Sequence, residues 1–435
     1  MALTNTNPNF RKRYGPWIDP MPSEDTLAED MDFVERERRQ GGQYAFPVLV
    51  SQEQGITFNS DGSTFTTNSS IDAVIKEAQI DGAEIAVTVD MSANELSRSA
   101  NGASQTSNVD PAFWEIPDLK MEQAMLLGER GREVMLGFGP GTGAAIAADI
   151  GVVSASISGA NLAAPQVVSI TRASWMPGLW PLMQNALVDI FQADGTTVRD
   201  TGVTMQTITD ETKNRLQLFK TASAATVAAN DRIQLAGART KSCFGIQAIG
   251  ENTGTLFNID ALANIVWRVQ STTSFGAPAR AKIMQLAAKL KNRGVKKGGV
   301  LYCCSSVLAD LSEEIDANGR VLVDEKTPGV KKQGTSRLVY TTACGDITVK
   351  SHLFWKQGFM FFLANNPNGA GSVGKRVGST DFTFDERRGG MMFRPLEAST
   401  GARIRGYSHQ APILQIPWMC SWITGVTSNA DTLPS

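Results

Sequence analysis

Residues 43–95 carry the pattern of a long β-hairpin but hold too few large apolar side chains for a core of their own. Tyr44, Phe46, Val48 and Val50 alternate with other residues, and Ile56 and Phe58 continue the pattern. Asp61-Gly62 is the dipeptide of a type I′ turn, and Phe65-Thr66-Thr67 reads as strand on the return. A short helix is expected at 71–79 and a second β stretch at 83–89. A lone two-stranded ribbon is at best marginally stable in water. A chain with this segment must lay it as an extended flap against something else.

The preceding residues repeat the problem. Residues 1–42 read as an arm, with Pro8, Pro16, Pro20 and Pro22 spaced through it and few apolar side chains. A charged helix is expected at 30–40, ending at Gly41-Gly42. Such a segment cannot offset its ordering entropy alone. Arg11, Lys12 and Arg13 form a basic cluster able to touch phosphate without reading bases.

The net charge of −2 hides an asymmetry. Residues 41–160 hold 5 basic and 15 acidic groups, whereas 271–435 hold 21 and 12. Opposed regions of this kind can meet within one molecule or across copies of a self-associating one, where complementary potentials guide the encounter. Near-neutrality overall excludes a nucleic-acid binder of the uniformly basic kind.

The rest of the chain has room for cores. Residues 109–138 read as a long helix: Ala124, Leu127, Gly131, Val134 and Phe138 keep the 3.6-residue period, and glycines end it. Pro111 is placed near its start, and Pro117 bends it or marks a later start. Residues 149–269 are β-rich, with Trp175, Trp180 and Trp267 as packing anchors. The clearest helix is 279–293, with Pro278 at its first position, a stripe of Ile283, Leu286, Ala287 and Leu290, and Gly294 just past its end. Strands at 300–303, 320–323, 347–362 and 403–426 and a helix at 307–314 complete an α/β mixture.

Chemistry-bearing motifs are weak. Residues 369–375 (GAGSVGK) fit a phosphate-loop frame, but Arg376 stands where Ser or Thr should bind Mg²⁺, and strand rather than helix follows. A flexible basic loop is the plainer expectation. Residues 137–143 (GFGPGTG) follow a helix, which is the wrong context for a dinucleotide fingerprint. Ser351-His352 and Ser408-His409 lack a nucleophile elbow, and neighbours on a strand point apart. Five cysteines without a C-x-x-C read as buried thiols. No cofactor, metal site or catalytic residue is assigned. The opening residues carry no apolar secretory stretch, and 143–168 is too poor in leucine to span a membrane. Synthesis in a reducing cytoplasm is expected, with no membrane partner.

Four stretches carry a resemblance: 56–68 (ITFNSDGSTFTTN), the long helix ending in MLGFG, 279–304 (ARAKIMQLAAKLKNRGVKKGGVLYCC) and 411–426 (APILQIPWMCSWITGV). In this order the chain resembles the major capsid proteins of tailed bacteriophages, which have the Hong Kong 97-like fold. That resemblance implies an α+β chain with an N-terminal arm at 1–42 and an extended loop at 43–95. A spine helix at 96–148 and a β-rich peripheral region at 149–270, with a candidate β insertion at 190–242, would follow. An α/β axial domain at 271–402 and a return strand of the peripheral domain at 403–435 would complete it. The implied function is structural, not enzymatic: hexamers and pentamers forming an icosahedral shell around double-stranded DNA, in the virion. Portal protein, a separate scaffolding protein and non-specific contact with the packaged DNA are the implied partners. Arg11, Lys12, Arg13, Phe58, Asp61, Phe65 and Lys76 are the expected inter-subunit contacts. Lys76 would be the flap candidate for the lysine crosslink that some members form. An encapsulin-like compartment stays open as an alternative, and so does a nucleotide-binding enzyme.

Overall fold

The structure is a computed structural model and describes residues 27–35, 43–62, 64, 70–92, 116–141, 149–159, 161–239, 241–317, 337–384, 394–395 and 401–428. After one helical turn (Leu27–Asp30) come β1 (Asp32–Glu35), β2 (Gln43–Ser51), β3 (Val74–Asp81), β4 (Ala83–Ser92) and helix α1 (Ile116–Phe138). Six strands follow: β5 (Gly151–Ser158), β6 (Gln166–Ile170), β7 (Leu187–Phe191), β8 (Val198–Asp210), β9 (Arg215–Phe219) and β10 (Arg232–Leu235). A short helix (Ile246–Gly250), the ribbon β11 (Thr255–Leu256) and β12 (Ile259–Asp260), and β13 (Gln270–Thr272) lead to α2 (Arg280–Asn292), β14 (Gly299–Cys303) and α3 (Ser305–Ala317). The order closes with β15 (Arg337–Thr342), β16 (Gly345–Ser351), β17 (Phe359–Ala364), β18 (Gly374–Phe384), β19 (Arg394–Pro395), β20 (Gly401–Leu414) and β21 (Ser421–Thr424).

The chain divides into two compact units. Among its described residues, the smaller holds 83–92, 116–133, 379–384, 394–395 and 401–410. Its backbone is the antiparallel pairing of β4 with β20, in register from Gly401 opposite Ser92 to Gln410 opposite Ala83. Ala83, Val87 and Met91 of β4 are buried and their immediate neighbours are not, the alternation of a strand with one covered face. Arg132 of α1 pairs with Asp381 of β18 at 3.1 Å.

The larger unit has two cores. One is a closed barrel in the order β10-β5-β6-β9-β8-β7. Val153, Val168, Val188, Ile190, Val203, Met205, Leu216, Leu218 and Ile233 are fully buried in it. Trp175 and Trp180 stack at 5.8 Å, and Trp267 is also buried. The other core covers a six-stranded sheet, β13-β21-β17-β14-β16-β15. Its central strand β14 runs parallel to β16 and antiparallel to β17. The apolar stripe of α2 is buried as its spacing predicts, and Gly294 takes φ +88° to end the helix. Gly250 sits where a Cβ would come within 2.6 Å of the Trp422 ring, so nothing larger fits.

Five expectations are corrected. Residues 74–81 form a strand, not a helix, because pairing with β2 overrides the helical spacing of Ile71, Val74, Ile75 and Ala78. In place of a helix at 30–40, a single turn ends at Asp30 and β1 pairs in parallel with β18. Pro278 precedes the cap Ala279 rather than occupying the first helical position. The β segment at 190–242 is not separate, since β7–β10 close the barrel with β5 and β6. Residues 421–424 join β13 and β17 in the six-stranded sheet, so the boundary at 403 does not divide that sheet from the chain's end. The strand expected at 320–323 and Pro111 lie outside the described residues.

Candidate assembly surface

The β2–β3 hairpin is anchored at one end and exposed at the other. Tyr44 faces Ile80 and Phe46 faces Ala78 across the ladder. Tyr44, Ala78 and Ile80 are buried, and Gln79 N–H donates to the Phe257 carbonyl at 3.0 Å. Beyond Val48, opposite Lys76, the side chains come out into solvent. Leu49, Ile56, Ile71, Val74 and Ile75 are all exposed, and Phe58 is 90% exposed. Mutual backbone bonds between Gln54 and Ile71 keep the two sides paired toward the tip. Gly62 takes φ +78° but Asp61 does not take a positive φ, so the turn is not the type I′ that the Asp61-Gly62 dipeptide predicts. Covering one of the larger of these side chains is worth about 1.5–3 kcal/mol. A cluster of them on one ribbon is the kind of apolar patch that marks an interaction site.

Of the expected contact residues, Phe58 and Asp61 lie toward this tip and Lys76 lies partway down β3, all exposed. Arg11, Lys12, Arg13 and Phe65 lie outside the described residues.

The chain's opposed charges meet in part within the chain itself. In the larger unit, Asp30 accepts from Lys350 at 2.7 Å and from the Tyr302 hydroxyl, and Asp32 pairs with Lys375. Tyr302 and Lys350 are adjacent in the β14–β16 register, so one carboxylate reaches both. Ser372 donates to the Asp30 carbonyl at 2.6 Å and Arg376 to that of Met31 at 2.8 Å. Together these bonds fasten the segment that leads out of the N-terminal residues. In the smaller unit, Asp90 takes both ends of the Arg403 guanidinium, at 2.6 and 2.8 Å, and Glu84 faces Arg405 at 3.3 Å. The Arg403 hydrogen bond holds the Asp90 carboxyl below its ordinary value despite slight desolvation. These last pairs are exposed, so water and salt screen them and they add little to stability.

The weak motifs resolve into structure. Lys375 and Arg376 are buried in β18, so 369–375 is a turn running into a strand rather than the flexible basic loop expected. Its Asn365–Ser372 bridge ties β17 to β18 and leaves no helix N-terminus for a phosphate. His352 is buried, and its Nδ1 accepts from Phe354 N–H at 3.1 Å. All five cysteines are free and buried, and burial pushes the Cys243 and Cys420 thiols up to about 12. Among the described residues no cluster of three or more His, Cys, Asp or Glu could hold a metal, and no helix is long and apolar enough to cross a membrane.

One cluster escaped the sequence reading. Lys356 is fully buried, 3.2 Å from Asp149 and 2.8 Å from the Gln247 carbonyl oxygen, over the Phe138 ring. Arg232 takes the other Asp149 oxygen at 3.0 Å, and Gln247 donates to Glu251 at 2.7 Å. Burial pushes the Lys356 amine down, opposed by Asp149, and pushes the Glu251 carboxyl up. The cluster joins barrel strand β10 to the loop before β17. Its only sequence signal is a lone charge in an aromatic run, LFWKQGFMFF.

No protein-family model and no curated protein sequence matches the chain. Solved structures do. The chain overlays a chain of the cyanophage A-1(L) capsid asymmetric unit over 98% of its own length and 100% of that chain, at TM-score 0.50 and 13% identity. A capsid chain of an empty GTA particle overlays at TM-score 0.46 and 9% identity, covering 98% of each chain. An encapsulin from Synechococcus elongatus PCC 7942 overlays at 0.38 and 7%, over 94% of this chain and 88% of that one. The last two overlays are too loose to carry an argument, and the first speaks to fold. The chain, a mixed α/β molecule with few helices and many strands, is thus similar in fold, over almost its whole length, to a bacteriophage capsid chain.

Proposed function

We propose that this chain is the major capsid protein of a tailed bacteriophage, with the Hong Kong 97-like arrangement, building a closed shell from many copies of itself. The observation that carries the reading is the hairpin: a ribbon fixed at its base, with its apolar side chains presented to solvent, on a chain of capsid-like fold. Such a ribbon gains its burial energy on a second copy. On this reading, hexamers and pentamers enclose double-stranded DNA in the virion. Residues 1–42 form the arm, 43–95 the overlapping loop and α1 the spine, and α2 and β14 belong to the axial domain. Portal and a separate scaffolding protein complete the assembly, and Phe58, Asp61, Phe65 and Lys76 contact the neighbour along with Arg11, Lys12 and Arg13. The role is structural and not enzymatic.

Negative-stain images and light scattering of the purified full-length chain test this. Closed particles tens of nanometres across are expected, alone or with a co-expressed scaffold. A species that stays a small oligomer under both conditions counts against it. Particle contents separate the rival compartment, since nucleic acid fits a genome shell and a single co-purifying enzyme fits an encapsulin.

A further inference from the structure

A cavity with a coherent chemistry lies along the first turns of α2. Its volume is about 180 Å³. Thr272, Thr273 and Ser274, where β13 ends, line it together with Lys282, Gln285 and Lys289. The three helix residues are spaced by three and four, so they share one face. Phe275 and Leu286 also line it, and among the described residues the lining includes no acidic side chain.

Two features make this more than a basic surface. Lys282 is fixed: its ammonium donates to the Phe275 and Ala277 carbonyls and sits 5.2 Å from the Phe275 ring centre. Two of its three protons are committed, and one remains. Gly276 keeps the space, since a Cβ there would meet that ammonium at 3.2 Å. Among the described residues, the buried Thr272 hydroxyl has no hydrogen-bond partner. An unpaired buried hydroxyl costs free energy that an incoming acceptor would recover.

We propose that this groove binds a phosphate-class oxyanion. Lys282 and Lys289 supply charge, and Thr272, Thr273 and Gln285 supply neutral donors. A compact anion with oxygens pointing several ways uses all of these, and the room exceeds what a lone carboxylate needs. The same chemistry is offered by free pyrophosphate and by the backbone of nucleic acid. The site does not depend on the shell reading.

The test is titration calorimetry of the full-length chain with pyrophosphate and, separately, with a short DNA duplex, at matched ionic strength. Binding of at least one probe is expected. Lys289→Gln and Thr272→Val should each weaken it about tenfold, the loss of one charge-assisted or buried hydrogen bond, with the melting temperature unchanged in the first and at or above the parent's in the second, which removes an unpaired hydroxyl. Pyrophosphate binding that duplex does not compete identifies a free anion. Duplex binding whose log–log salt slope falls by about one in Lys289→Gln identifies the backbone. Neither probe binding, or both variants binding like the parent, overturns the proposal. Lys282→Met is not the deciding variant, because that side chain also holds the loop.

Discussion

Strand β17 and the β2–β3 hairpin belong to the same compact unit and are both rich in apolar side chains, but they use them differently. In β17, Met360, Phe361, Phe362, Leu363 and Ala364 are all at most 1% exposed, with strands on both sides and cover on both faces. In the hairpin, Leu49, Ile56, Phe58, Ile71 and Ile75 are each more than half exposed. The first set stabilises this chain through nearly complete burial. The second leaves most of its apolar surface in water. Apolar content alone therefore does not tell where a segment's energy is collected; its covering layers do.

The comparison can be broken first at its strongest point. Trp422 stacks on Phe359 at 5.3 Å in the six-stranded sheet. Trp422→Ala should cost about 3–5 kcal/mol, seen as a large fall in melting temperature and soluble yield. A melting temperature close to the parent's would mean that this core is not what holds the unit.

A smaller effect is expected where a charge, not an apolar surface, fastens the chain. Asp30→Asn leaves the largely buried Lys350 facing a neutral group. The expected loss is about 2–3 kcal/mol, below that of a fully buried pair because water still reaches Asp30. Limited proteolysis should then cut near 27–35 sooner than in the parent. An unchanged cleavage pattern would show that the remaining contacts, Asp32–Lys375 and the Ser372 and Arg376 bonds to backbone, suffice to hold this segment.

The smallest effect is a signed one. The folded Glu251 carboxyl is held above its ordinary value by burial, against the Gln247 hydrogen bond and the nearby Lys356. A raised carboxyl favours folding only while protonated, and that contribution is lost as pH rises through the folded-state value. Glu251→Gln should therefore raise the melting temperature slightly at pH 7 and leave it unchanged near pH 4. A fall at pH 7 would show that the negative charge is needed by Lys356.

What the sequence made legible was local. The α2 helix was readable because its stripe, its stop at Gly294 and its strand partner all agree within twenty-five residues. At Asp61-Gly62 the glycine was readable, because Gly62 takes a left-handed backbone, but the type I′ turn was not formed, because Asp61 does not. Residues 71–79 misled because Ile71, Val74, Ile75 and Ala78 fit a helical stripe, and only the distant strand β2 decides otherwise. Barrel closure was invisible for the same reason, since β10 reaches back to β5 across eighty residues. Phe58 and Asp61, picked out by alternation and turn chemistry, are exposed toward the hairpin's tip. The exposure of Ile71, Val74 and Ile75 was hidden by the helix reading. The Lys356–Asp149 pair was missed because its partners come from three separate stretches.

The most direct test is a double substitution at the exposed end of the hairpin, Phe58→Ser with Ile75→Ser, read by light scattering and melting temperature side by side. The account predicts a chain that melts within about 0.5 kcal/mol of the parent's stability, as surface changes do, but remains in small species where the parent forms large particles. Particles of the parent's size, or a chain that no longer folds, would contradict the claim that these side chains find their cover on another copy.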